Sequence, residues 1–192
     1  MPGMKRRLFA LLALVLMVSG SVSCSSSVAP SVAGGDLDTL FQRLRSTQNE
    51  EEAQRLEVAI RRSWARSGRA GVDALTAHAI EAMHAGQYVQ ALAALDKVVE
   101  SAPQFAEGWN LRATVHYLRD EYGPAVSDIG HVLSLEPRHF GALAGLGRIM
   151  LEMEDKKSAL WAFEQALAIN PHLPEVRDEV EQLQVELAGF PI

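Results

Sequence analysis

Three consecutive stretches of 34 residues decide the reading of this chain: VDALTAHAIEAMHAGQYVQALAALDKVVESAPQF (72–105), AEGWNLRATVHYLRDEYGPAVSDIGHVLSLEPRH (106–139) and FGALAGLGRIMLEMEDKKSALWAFEQALAINPHL (140–173). Pro103, Pro137 and Pro171 occupy the same place in each. With places numbered from the start of each stretch, the fourth holds Leu75, Trp109 and Leu143, and the eighth holds Ala79, Ala113 and Gly147. The twentieth is Ala91, Ala125 and Ala159. The twenty-fourth holds Leu95, Ile129 and Phe163, and the twenty-eighth Val99, Leu133 and Leu167. At the seventeenth, Tyr88 and Tyr122 agree and Lys156 departs.

Apolar residues recur at intervals of three and four within each half, which is helical periodicity. Gly86-Gln87 and Asp120-Glu121 interrupt the first two stretches midway, where two antiparallel helices must be joined. Small side chains at the eighth and twentieth places let the paired helices approach closely, and larger ones fill the space between neighbouring units. Proline just past each second helix stops it and sets the entry to the next unit.

This pattern resembles the tetratricopeptide repeat (TPR), and the resemblance runs over residues 72–173 without a gap. It implies an all-α fold, a short α-solenoid of three helix-turn-helix repeats, and a module that binds protein. Residues 174–187 continue the periodicity through Val176, Val180, Leu183 and Leu187, with Glu175, Arg177, Glu179 and Glu186 on the polar side. That suits a capping helix with one wet face. Upstream, Leu37, Leu40, Phe41 and Leu44 form an apolar stripe after Asp36, an expected N-cap. Leu56, Ala59, Ile60 and Trp64 form a second stripe, stopped by Ser67-Gly68. Residues 36–67 therefore predict a helical hairpin stacked before the first repeat, as an N-terminal cap or a decayed repeat. Carried back by one period, the frame finds Glu57 where alanine stands in the other three units.

The extreme N-terminus reads as an export signal: Lys5-Arg6-Arg7, the apolar run Leu8 to Val18, then small polar residues. The run is too short for a spanning helix, which needs about 17–25 residues. Two cleavage readings stay open. Ser21-Val22-Ser23-Cys24 resembles a lipoprotein signal, implying residues 1–23 as leader and Cys24 as the lipidated residue, although Ser21 stands where an aliphatic residue is usual. Ser31-Val32-Ala33 has the small-x-small spacing of ordinary cleavage. Residues 24–35, rich in Ser, Ala, Val, Pro and Gly, read as a flexible tether.

Without Lys5, Arg6 and Arg7 the chain carries 15 basic and 24 acidic residues, a net charge of −9. Such a surface repels phosphate backbones, so no nucleic-acid partner is expected. Cys24 is the only cysteine, which excludes an intrachain disulfide and a cysteine zinc cluster. The six histidines (78, 84, 116, 131, 139 and 172) show no metal-ligand spacing with one another or with carboxylates. Gly145-Leu146-Gly147 lies inside a predicted helix and follows no strand, so it is no phosphate loop. No catalytic residues, cofactor, metal or small-molecule substrate are expected.

One pair stands out. Arg112, at the seventh place of the middle unit, is followed sixteen residues later by Asp128, whereas the same places hold His78 with Ala94 and Leu146 with Ala162. The acid occurs only where the arginine does, which predicts a partly buried structural ion pair between two helices.

The TPR resemblance further implies that the first helices line a concave groove for a protein segment. Its expected lining is Asp73, Thr76, Ile80, Met83 and His84 in the first repeat, and Glu107, Asn110, Thr114, Tyr117 and Leu118 in the second. In the third it is Gly141, Ala144, Arg148, Leu151 and Glu152. Of the polar residues that TPR domains use to grip a chaperone's C-terminal carboxylates, only Asn110 and Arg148 have counterparts, and not in that arrangement. Ile80, Met83, Tyr117, Leu118 and Leu151 instead suit an apolar partner segment. With the leader, this implies an adaptor in a bacterial cell envelope, exported to the periplasm and lipid-anchored to the outer membrane. The alternative locations are soluble periplasmic or secreted. The alternative role is a subunit or assembly factor of an envelope machine for secretion, pili or cytochrome maturation.

Overall fold

The computed structural model describes residues 36–189. Cys24, the leader and the tether lie outside the described residues. Within them the chain forms helices α1 (Leu37–Ser46), α2 (Glu50–Trp64), α3 (Ala70–His84), α4 (Tyr88–Ser101) and α5 (Ala106–Leu118). There follow α6 (Tyr122–Leu135), α7 (Phe140–Glu152), α8 (Lys156–Ile169) and α9 (Pro174–Leu187). No strand occurs among the described residues.

Each repeat is an antiparallel pair: α3 with α4, α5 with α6, α7 with α8. The second helix of each pair also packs on the first helix of the next, which produces the solenoid. Ala79 and Leu95 share an apolar cluster with Leu111 and Val115 of the following repeat. Ala113 and Ile129 likewise share one with Ala142 and Ile149. The third repeat is followed by α9. Val176, Val180 and Leu183 of α9 cover Phe163 and Ala166, and the opposite side of α9 stays exposed.

The third repeat solves its crossing differently from the other two. A Cβ placed on Gly147 would stand 2.7 Å from Phe163 Cζ and closer still to Cε1 and Cδ1. The fully buried Phe163 ring thus occupies the volume that a methyl group fills at Ala79 and Ala113, where the facing residues are the smaller Leu95 and Ile129.

The turn between the two helices has the same shape in each of the three repeats. Gly86 has φ +69°, and Asp120 and Glu154 stand at the matching place with φ +62° and +61°. The Gln87, Glu121 and Asp155 amides reach back to the carbonyls of Ala82, His116 and Met150, closing a Schellman turn each time. Left-handed backbone costs a side-chain-bearing residue about 1–2 kcal/mol, while glycine loses roughly 0.5–1 kcal/mol more chain entropy. Glu154→Gly should therefore stabilise the fold by about 0.5 kcal/mol, read as a higher urea midpoint at unchanged slope.

Two expectations for the N-terminal region need correction. Asp36 does stand at the N-cap position of α1, but its side chain makes no capping hydrogen bond. Asn49, by contrast, accepts from the Glu52 amide at 2.8 Å. More consequentially, the α1–α2 hairpin does not stack on the first repeat. Leu40, Phe41, Leu44, Leu56, Ile60 and Trp64 form one cluster with Phe140, Ile169 and Leu173 of the third. The physical reason is area. The exposed side of α3 offers Ala70, Ala74 and Ala77, whereas Phe140 and its neighbours give the hairpin's aromatic face something large to bury against.

Candidate functional site

Consecutive first helices α3, α5 and α7 touch one another, so the places expected to line the groove form a continuous surface. In its N-terminal half Thr76 and Ala144 are buried, and the partly exposed Asp73, Glu107 and Gly141 are engaged by other parts of the chain. Asp73 Oδ1 accepts from the Ser67 amide at 2.9 Å and from the Ser67 hydroxyl at 2.6 Å. Glu107 Oε2 lies 3.1 Å from His139 Nε2. Gly141 sits beneath the hairpin, where an added Cβ would stand 3.4 Å from Arg61 Nη1. Thr76 is buried and donates to the Val72 carbonyl at 2.9 Å. Ala144 is buried in the cluster that contains Val176 and Val180 of α9.

The C-terminal half is more open. Ile80, Asn110, Thr114, Tyr117, Leu118, Arg148 and Leu151 are partly exposed, and His84 and Glu152 are exposed. Met83 departs from expectation: it is 9% exposed and packs with Leu111 and Val115, holding the first repeat to the second. It lies in the apolar cluster that joins the first helix pair to α5. The polar members of the set are partly engaged. Asn110 Nδ2 donates to Glu107 Oε1 at 3.3 Å, and the Thr114 hydroxyl donates to the Asn110 carbonyl at 2.9 Å. Arg148 Nη2 lies 3.7 Å from Glu175 Oε2, a long and largely exposed ion pair that contributes little to stability. What remains is a mixed apolar and polar strip of Ile80, Tyr117, Leu118 and Leu151, edged by His84 and Glu152.

Arg112 lies away from this strip, within a polar network joining α4, α5 and α6. Its Nε and Nη2 donate to both oxygens of Asp128 at 2.8 and 2.7 Å. Nη1 donates to Asp96 Oδ1 at 2.9 Å. The guanidinium carbon stands 4.8 Å from the Trp109 ring centroid, and Trp109 Nε1 donates to the Pro103 carbonyl at 3.0 Å. The hydrogen bonds to Asp128 push the Arg112 pKa above its already high ordinary value, against the opposing effect of burial. Asp128 is 3% exposed, so the fork neutralises a carboxylate that would be costly alone. Asp96 went unrecognised in the sequence reading, although it lies sixteen residues before Arg112 as Asp128 lies sixteen after. The α4–α5 packing that brings it close repeats the α5–α6 packing one helix earlier.

The hairpin contact is the other feature missing from the sequence reading. Trp64 stacks on His139 at 4.1 Å between centroids and 13° between planes. His139 Nδ1 accepts from the Ala142 amide at 3.0 Å, capping α7, while Nε2 faces Glu107. No periodic signal marks these residues, because the hairpin is out of register with the repeats. Among the described residues no cluster of His, Cys, Asp or Glu could hold a metal ion, and no helix is long and apolar enough to cross a membrane.

A TPR repeat-containing protein of Rhizobium etli is 36% identical over 153 residues, covering 80% of this chain and 75% of that protein. The chain belongs to the tetratricopeptide-repeat proteins. No protein-family model matches it. The Caenorhabditis elegans cell division cycle protein 27 homolog is 29% identical over 85 residues, which cover 44% of this TPR chain and only 11% of that protein. Among solved structures, the first TPR domain of Spaghetti (RPAP3) bound to an HSP90 peptide superposes with a TM-score of 0.59 at 19% identity, covering 62% of this chain and 94% of that one. MamA superposes with a TM-score of 0.57 at 18% identity, over 80% of this chain and 81% of its own. These structural likenesses establish the fold, a TPR α-solenoid.

Proposed function

We propose that this TPR protein is a non-enzymatic adaptor of the bacterial cell envelope that holds a protein segment against the C-terminal halves of α3, α5 and α7. The observation that carries this reading is the partly exposed strip of Ile80, Tyr117, Leu118 and Leu151 on consecutive first helices. In the N-terminal half of the same face Gly141 lies against Arg61 of the hairpin and Ala144 shares a cluster with α9. A segment bound to the strip is short and contributes apolar side chains, flanked by groups that can meet His84, Thr114 and Glu152. A chaperone's C-terminal carboxylates are a poor match, since Arg148 leans on Glu175 and the remaining clamp positions carry no cation.

Tyr117→Ala combined with Leu151→Ala should reduce capture of a crosslinked partner from membranes, with helicity preserved by circular dichroism. Capture equal to wild type would place the interface elsewhere.

The envelope setting rests on Lys5-Arg6-Arg7, the apolar run after it, and Cys24 shortly beyond that run. A lipid anchor on Cys24 would hold the adaptor at the outer membrane beside its partner. Acyl-label incorporation should be lost in Cys24→Ala, and retention of the label in that variant would discard the anchor.

A further inference from the structure

We propose that the α1–α2 hairpin is a strap that ties the third repeat to the first and fixes the curvature of the three-repeat arc. It is fastened at both ends. At the third repeat, Phe140 is fully buried against Phe41 and Trp64, with ring centroids at 6.5 and 5.1 Å. Polar contacts surround that cluster: Arg138 Nη1 donates to Asp38 Oδ1 at 2.5 Å, Asn170 Nδ2 to Glu57 Oε2 at 3.0 Å, and His172 Nε2 lies 3.1 Å from the Leu44 carbonyl. At the first repeat, the hairpin is joined through the short link 65–69. That link is itself pinned, because Ser67 donates twice to Asp73 and the Arg69 guanidinium donates to the Ser101 carbonyl. Trp64 adds a contact to the middle repeat by stacking on His139, which in turn faces Glu107.

The dimensions agree. Helix α2 has 15 residues, a length of roughly 22 Å at 1.5 Å per residue. Two successive interhelical spacings of about 8–10 Å separate the first helix of the first repeat from that of the third. An ordinary end cap would instead cover the leading side of α3, where Ala74, Ala77 and His78 stand exposed. In an open solenoid each repeat touches only its neighbours, so small rotations add along the array and end repeats open first. A connection from first to third repeat removes that freedom. The strip on α3, α5 and α7 is then presented at one curvature, and all three repeats open together.

The test uses the full chain with Cys24→Ser and spin labels at two exposed sites, Ala77→Cys on α3 and Lys157→Cys on α8. The distance distribution should be narrow. Inserting a short Gly-Ser segment between Ala65 and Arg66 leaves both fastenings intact and adds only slack, and it should broaden the distribution roughly twofold. Trp64→Ala with Phe140→Ala should broaden it as well. An unchanged width in the slackened chain, at native helicity, would overturn the strap. Hydrogen exchange supplies a second measurement that needs no variant: α3 and α8 should open with equal protection, and earlier opening of α3 would overturn the proposal.

Discussion

Gly147→Ala is expected to destabilise the protein by about 2–3 kcal/mol, although alanine is the better helix former by about 1 kcal/mol. The added methyl would overlap the Phe163 ring, which is fully buried and has no open side toward which to retreat. The effect should vanish in company. Phe163→Leu alone leaves a void and is destabilising, but combined with Gly147→Ala it recreates the Ala79–Leu95 pairing of the first repeat. Urea unfolding of the four members of this cycle should give a favourable coupling of about 2 kcal/mol. Additivity of the two single changes would mean that the crossing of α7 and α8 is not limited by this contact.

Phe140→Ala should cost about 3–5 kcal/mol, the range for deleting a fully buried aromatic ring. The comparison within the chain sharpens the argument. The same place in the middle repeat is Ala106, so alanine is compatible with the repeat at that point. What Phe140→Ala removes is the seat of the hairpin, including the Arg61 guanidinium lying 5.0 Å from the ring centroid. Thermal unfolding measures the loss, and a change in Trp64 emission would accompany it. Ala106→Gly serves as the matched control, with a cost near the helix-propensity difference of about 1 kcal/mol.

The repeat register was legible because 34-residue periodicity forces chemically similar residues into equivalent packing sites. Ala91, Ala125 and Ala159 announced the close helix crossing, and Gly86 announced the first turn. The third turn carried no such mark, since Glu154 adopts the left-handed conformation without being glycine. Within the strip, Ile80, Tyr117 and Leu151 could be placed on the first helices from spacing, yet spacing does not report how deeply a neighbour covers a position. Met83 illustrates this: its place is the same as that of Tyr117 and Leu151, but it is buried where they are partly exposed. The docking of the hairpin was illegible for a different reason. Amphipathic stripes in α1 and α2 state that an apolar face must be covered, and they say nothing about which surface covers it.

That docking also bears on how the polypeptide matures. Asp38 and Arg138 are 100 residues apart, and Leu44 and His172 are 128 apart. During synthesis at about 5–20 residues per second, the hairpin would wait on the order of 5–20 s before its seat existed. Its leucines, isoleucine and aromatics would stay unburied throughout, in the first part of the fold to leave the ribosome. Most helical repeat arrays can assemble from one end using local contacts, whereas here the hairpin cannot be covered until the third repeat is made.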